Sequence, residues 1–158
     1  MPPPRYRMKS AMKKLIPPFL FLICLAAMSA LHRWLPLARI FPAPWNRLGF
    51  FPILSGLTLG LWGLAWFIRS HADPHPFREP ELLVTDGPFR YSRNPMYLGL
   101  AMILAGVAVL WGSVSPFIVV GAFVLIADRW YIHPEERVIR RKFGPSAESY
   151  FSHTRRWL

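Results

Sequence analysis

The sequence predicts an all-α, multi-pass integral membrane protein of about four transmembrane helices, with the last two forming a hairpin and a short cytosolic helix toward the C-terminus. Three observations carry that expectation. The 158-residue chain is 53% hydrophobic and 17% charged, with a mean hydropathy of +0.27, too apolar for an ordinary soluble domain of this length. Its apolar residues gather in stretches bordered by Lys or Arg. The longest, Asn94 to Ala127, runs thirty-four residues without a charge, between the basic border RYSR (Arg90 to Arg93) and the polar segment HPEER (His133 to Arg137).

The first expected span is Leu15 to Leu31, between Lys14 and Arg33; Pro17 and Pro18 stand near its start, where proline is tolerated. Its seventeen residues are at the lower limit for crossing a bilayer. A cleaved signal peptide is the competing reading of this region, with Ala26 to Ala30 as a small-residue cleavage segment. The second span, Leu48 to Ile68, has twenty-one uncharged residues rich in Leu, Trp and Phe, matching the about 20 that a crossing needs. The long run supplies the remaining pair. As one helix it would extend about 51 Å at about 1.5 Å per residue, against a hydrocarbon core of about 30 Å. It is therefore expected to fold back where Gly112, Ser113 and Pro116 favour a turn, so that both polar borders end on the same side.

Charge supports four spans over a processed N-terminus. Arg5, Arg7, Lys9, Lys13 and Lys14 precede the first span, Arg69, Arg78, Arg90 and Arg93 lie in the central loop, and seven more bases run from Arg129 to Arg156. Only Arg33, Arg39 and Arg47 fall on the opposite side, which predicts a cytoplasmic N-terminus, central loop and tail. The net charge of +11 is distributed around membrane spans, so anionic lipid headgroups are the expected partner and nucleic acid is not. Cys24 is the single cysteine, which excludes an intrachain disulfide and a multi-thiolate metal site. The whole chain, 1–158, reads as one domain: 1–69 with two spans, and 70–158 with the loop, the hairpin and a polar C-terminal region.

All eight acids lie in two places: Asp73, Glu79, Glu81 and Asp86 before the hairpin, and Asp128, Glu135, Glu136 and Glu148 after it. Glu135 and Glu136 open a helical pattern that continues to Arg140, Arg141 and Lys142 and stops at Phe143-Gly144-Pro145. Macrodipole complementarity is one account of that order, with acids first and bases last. Asp86-Gly87-Pro88 reads as a turn, and Asn94-Pro95 as the start of the third helix, with Asn94 able to cap it. Arg90, Tyr91, Arg93 and Tyr97 cluster at the same membrane entrance, more than capping requires. His32, His71, His75, His133 and His153 show no metal-ligand spacing, so no metal is expected. No Walker loop, GxGxxG or GxSxG occurs.

The run Leu83 to Gly99 (LVTDGPFRYSRNPMYLG), the apolar hairpin, Glu135-Glu136, Phe143-Gly144, Tyr150 and Arg156-Trp157 together resemble the isoprenylcysteine carboxyl methyltransferase and phospholipid methyltransferase superfamily. The RNPMYLG form resembles bacterial members, which implies a multi-pass protein of a bacterial inner membrane. The resemblance implies an enzyme that takes S-adenosylmethionine from the cytosolic side and a lipid or prenyl-type acceptor from the bilayer. It implies cofactor contacts from Glu81, Leu82, Leu83, Val84, Phe89, Arg90, Asn94, Pro95, Met96, Tyr97, Glu135 and Glu136, and a substrate contact from Arg129.

Arg93, Tyr97 and Glu136 are the expected catalytic set. Arg90 or Arg93 would meet the cofactor carboxylate, an acid of the pair its ammonium group, and Tyr97 or Glu136 the proton of an amine or thiol acceptor. Asn94 stands where many isoprenylcysteine enzymes have histidine, which removes any role for a titrating imidazole there. An NADPH-dependent membrane reductase, with arginines binding phosphates, and a non-catalytic membrane scaffold are the alternative readings.

Overall fold

The computed structural model describes residues 17–70 and 82–158. Helix α1 spans Pro17–Trp34, and α2 spans Phe50–Arg69, entered through a 3-10 turn at Trp45–Gly49. A second 3-10 turn, Gly87–Arg90, leads to α3, Pro95–Trp111. Helix α4, Ser115–Ile126, continues through a π-helical turn, Ala127–Ile132, into α5, His133–Phe143, and α6 covers Pro145–His153. Among the described residues there is no strand, only an isolated bridge between Arg39 and Ser113.

The long apolar run folds back where its small residues stand. Gly112 closes α3 in the left-handed conformation (φ 76°), and Pro116 sits in the first turn of α4, where its missing N–H costs no helical bond. The turn is pinned to the α1–α2 connection: Ile40 N donates to Gly112 O (2.8 Å) and Val114 N to Ala38 O (3.0 Å). A Cβ on Gly112 would lie 2.5 Å from Phe41 O, so close backbone approach and positive φ both select glycine.

Three helices are long and apolar enough to cross a membrane: Pro17–Trp34, Trp45–Arg69 and Ser115–Phe143. The fourth apolar helix, α3, is shorter at 17 residues, because Asn94-Pro95 fixes its start and Gly112 its end. The expected four-span layout is thus present as three full-length helices and one shorter one. Leu15 and Ile16, at the start of the first expected span, lie outside the described residues, as do the basic residues before them.

One expectation is corrected. The fourth span was expected to end at Ala127, with a separate helix after His133-Pro134, but the helix runs unbroken from Ser115 to Phe143. Pro134 lacks an N–H and crowds the carbonyl four residues back; the wider π turn immediately before it absorbs both defects, so the chain turns on without breaking.

The core lies between α1, α3 and α4. Leu20, Cys24 and Met28 from α1 meet Ala101, Leu104 and Ala108 from α3, and Val119 and Phe123 from α4. Helix α2 packs on α3 in another way, backbone against backbone. A Cβ on Gly56 would come within 2.5 Å of Gly99 O, and one on Gly99 within 2.6 Å of Gly56 O; Gly49 and Gly106 repeat the arrangement one heptad away. The opposite face of α2 leaves Phe51, Leu54, Leu61 and Trp62 exposed, the pattern of a helix whose solvent is lipid.

Candidate functional site

The polar borders of the hairpin meet, as the fold-back requires. Approaching α3, Asp86-Gly87-Pro88 makes a tight turn with Gly87 at φ 62°, which buries Pro88 and Phe89. The Phe89 ring packs 5.9 Å from that of Phe67, and its carbonyl accepts a hydrogen bond from the Tyr150 hydroxyl (2.7 Å). Burial raises the Tyr150 pKa, which keeps this phenol a neutral donor.

The next residues are held by the C-terminal segment. Arg93 N donates to Arg155 O (3.0 Å), Asn94 Nδ2 to Arg156 O (3.0 Å), and Ser92 Oγ to Arg156 O (3.4 Å). Asn94 therefore does not cap α3 with its side chain, as the sequence suggested; its own backbone N–H goes to Ser92 Oγ (3.1 Å) and its amide goes to the tail. The Arg156 carbonyl offers that amide an acceptor the helix end does not.

Beyond this point the acids of α5 come in. The Tyr97 hydroxyl donates to Glu135 Oε1 (3.3 Å), and Arg93 Nη1 lies 3.1 Å from Glu136 Oε1. Arg156 grips Glu136 with two aligned bonds, Nε to Oε1 (3.0 Å) and Nη2 to Oε2 (2.6 Å), a fork geometry that matches a carboxylate. Its Nη1 reaches Asp128 Oδ1 (3.1 Å) in the π turn, where Trp157 Nε1 also donates (3.4 Å). His133 Nε2 is 3.2 Å from the same Nη1.

The two arginines differ electrostatically. Burial lowers the pKa of Arg93, partly offset by Glu136, whereas the hydrogen bonds to Glu136 raise that of Arg156. Arg93 is also the less satisfied: its guanidinium lies over the Phe151 ring, 4.4 Å from the centroid, and its buried Nε and Nη1 have no aligned acceptor. Glu135 shows the complementary defect. Asp128 and Glu136 have arginine partners, while among the described residues Glu135 has the Tyr97 hydroxyl and no cation.

Of the residues singled out in the sequence, Arg93, Asn94, Tyr97, Glu135 and Glu136 come together, with Phe89 and Pro95 buried beside them. Leu82 and Arg90 are exposed, Leu83, Val84 and Met96 are half-buried, and Glu81 lies outside the described residues. Arg129 is outside the cluster, with its side chain 72% exposed, in a shallow groove that it forms with Trp130, Tyr131 and Pro134. Tyr131 links the two places, its ring 6.1 Å from that of Tyr97. Sequence reasoning assigned no site role to Asp128 or Arg156; the charge that ends the apolar run and the Arg-Trp pair at the tail were the available signals. Among the described residues, no group of three His, Cys, Asp or Glu is placed to hold a metal ion.

A family model for phospholipid methyltransferases matches residues 75–146, which take in the central loop, the whole hairpin and α5. That segment is similar to the phospholipid methyltransferase family. It is the superfamily that the RNPMYLG run and the acid pair resemble, and the match supports membrane methyltransferase activity on lipid-like substrates. The methyltransferase segment holds Arg93, Tyr97, Glu135 and Glu136 and stops before Arg156. No curated protein and no solved structure matches the chain.

Proposed function

We propose that the protein transfers a methyl group from S-adenosylmethionine to a lipid-like acceptor at one face of a membrane. The observation that carries this reading is the pair of opposite defects described above. Among the described residues, Arg93 has buried donors without an aligned acceptor and Glu135 a carboxylate without a cation, both in the segment that the family model matches. An amino-acid zwitterion complements both at once: its carboxylate suits Arg93 and its ammonium group suits Glu135. S-adenosylmethionine carries such a zwitterion, and when bound it would supply a methyl group activated on sulfonium, with the neutral thioether of S-adenosylhomocysteine as the leaving group once the acceptor takes the methyl.

This chain's residues then have separate tasks. Glu135, oriented by Tyr97, faces positive charge, while Glu136 holds the arginines. Phe89, with Leu82 to Val84, Pro95 and Met96, forms the apolar surround. The groove at Arg129, Trp130, Tyr131 and Pro134 suits an acceptor lying in the lipid, with the arginine toward its polar end. An amine or thiol acceptor also loses a proton; Glu136, whose two oxygens are engaged by arginine, is poorly placed to take it. The whole chain works as one unit, and the basic borders support a site on the cytoplasmic side of a bacterial inner membrane.

Calorimetric titration of the full chain in lipid nanodiscs with S-adenosylhomocysteine and with NADPH tests the reading, together with transfer of labelled methyl groups to extracted lipids. Binding of the first and not the second, with a labelled lipid product, is the expected result. Absence of both S-adenosylhomocysteine binding and labelled lipid overturns it.

A further inference from the structure

Arg156 lies outside the methyltransferase segment, yet it connects more of the site than any residue within it. Its carbonyl accepts from Asn94 and Ser92, its guanidinium forks onto Glu136, and its remaining nitrogen reaches Asp128. The loop before α3, the π turn and α5 are thus joined through one side chain and one carbonyl. We infer that Arg156 is a positioning residue that keeps Arg93 available to the ligand by saturating Glu136. This rests on the reading of the site as one that binds S-adenosylmethionine.

The argument is a competition between two cations for one buried carboxylate. Glu136 is 6% exposed, and its desolvated charge demands a partner. Arg156 makes two aligned hydrogen bonds to it, whereas Arg93 stands 3.1 Å away without an aligned one. With Arg156 in place, Arg93 keeps unsatisfied donors. With that guanidinium removed, Arg93 is the arginine left to Glu136 among the described residues, and a fork between them consumes the donors that a ligand carboxylate would use. The tail's attachment is a separate matter: Asn94 and Ser92 bind the main-chain carbonyl of Arg156, which a substitution at its side chain preserves.

The test is S-adenosylhomocysteine binding by the full chain in nanodiscs, measured calorimetrically for wild type, Arg156→Ala, Arg156→Lys and the Arg156→Ala/Glu136→Gln pair. Arg156→Ala should weaken binding by about tenfold or more, and Arg156→Lys, which keeps the charge without the fork, by less. The double variant should bind more tightly than Arg156→Ala alone, because a neutral amide in place of the Glu136 carboxylate no longer captures Arg93; such rescue is a coupling that simple loss of a structural contact does not produce. Thermal midpoints without ligand identify any variant that fails to fold, in which case the Lys variant carries the comparison. Wild-type affinity in Arg156→Ala, or a double variant no better than the single, overturns the inference alone. No binding by the wild type overturns the function reading as well.

Discussion

The two ends of the hairpin are built from different materials. At the Gly112 end, connections are neutral: backbone bonds from Ile40 and Val114, His32 Nδ1 to Ser113 Oγ at 2.8 Å, Asn46 Nδ2 to Leu110 O at 3.1 Å, and the His32 ring stacked 5.3 Å from Trp111. At the other end they are ionic, with Arg93 and Arg156 shared among Glu136 and Asp128. Both ends leave buried polar atoms unsatisfied. At the first these are the neutral Ser115 Oγ and Asn46 Oδ1, and at the second the guanidinium nitrogens of Arg93. A neutral orphan costs about 1–3 kcal/mol and is tolerable in a structural joint, whereas a half-paired buried charge is costlier and makes sense where a ligand completes it. One end joins the fold through neutral contacts, and the other is where the proposed ligand would complete the pairing.

Substitutions that remove charge at the ionic end and leave shape alone should break this contrast most sharply. Glu135→Gln should weaken S-adenosylhomocysteine binding on the order of 100-fold, about 2.7 kcal/mol, with little change in thermal midpoint; titration and melting on one preparation check both. At the neutral end the effects should reverse. Gly112→Val forces a β-branched residue into positive φ and against Phe41 O, and should cost about 1–3 kcal/mol of stability while the folded fraction keeps wild-type affinity.

Tyr97→Phe should lower affinity about fivefold by removing the donor to Glu135. Ser113→Ala should cost about 1 kcal/mol of stability, read as a small fall in melting temperature, and leave methyl transfer unchanged. A Ser113→Ala variant that folds normally yet fails to bind would erase the distinction between the ends.

The sequence made the hairpin legible because glycine and proline interrupt an uncharged run too long for one crossing, and the meeting of its borders follows from that geometry. The α2–α3 contact also has a signal in the sequence: Gly49 and Gly56, like Gly99 and Gly106, stand one heptad apart, a spacing that lets two helices pack closely. Other features had no local signature. Pro134 marks a helix boundary in sequence terms, and nothing in ADRWYI announces the π turn that carries the helix through it. The Asn94 side chain has two candidate partners until the tail is placed, a helix N–H for its oxygen and the Arg156 carbonyl for its amide N–H. Arg156 is separated from Glu136 by twenty residues and a Gly-Pro break, so only tertiary structure brings them together.

The unbroken helix from Ser115 to Phe143 has a mechanical consequence. Twenty residues separate Ser115 from Glu135, about 30 Å at α-helical rise, which equals the thickness of the hydrocarbon core. A Gly112 turn at one boundary of a bilayer would bring Glu135 to the other, at a height set by the helical rise. The helix is in effect a ruler: in a thicker or thinner bilayer it must tilt, carrying Glu135 relative to the headgroups.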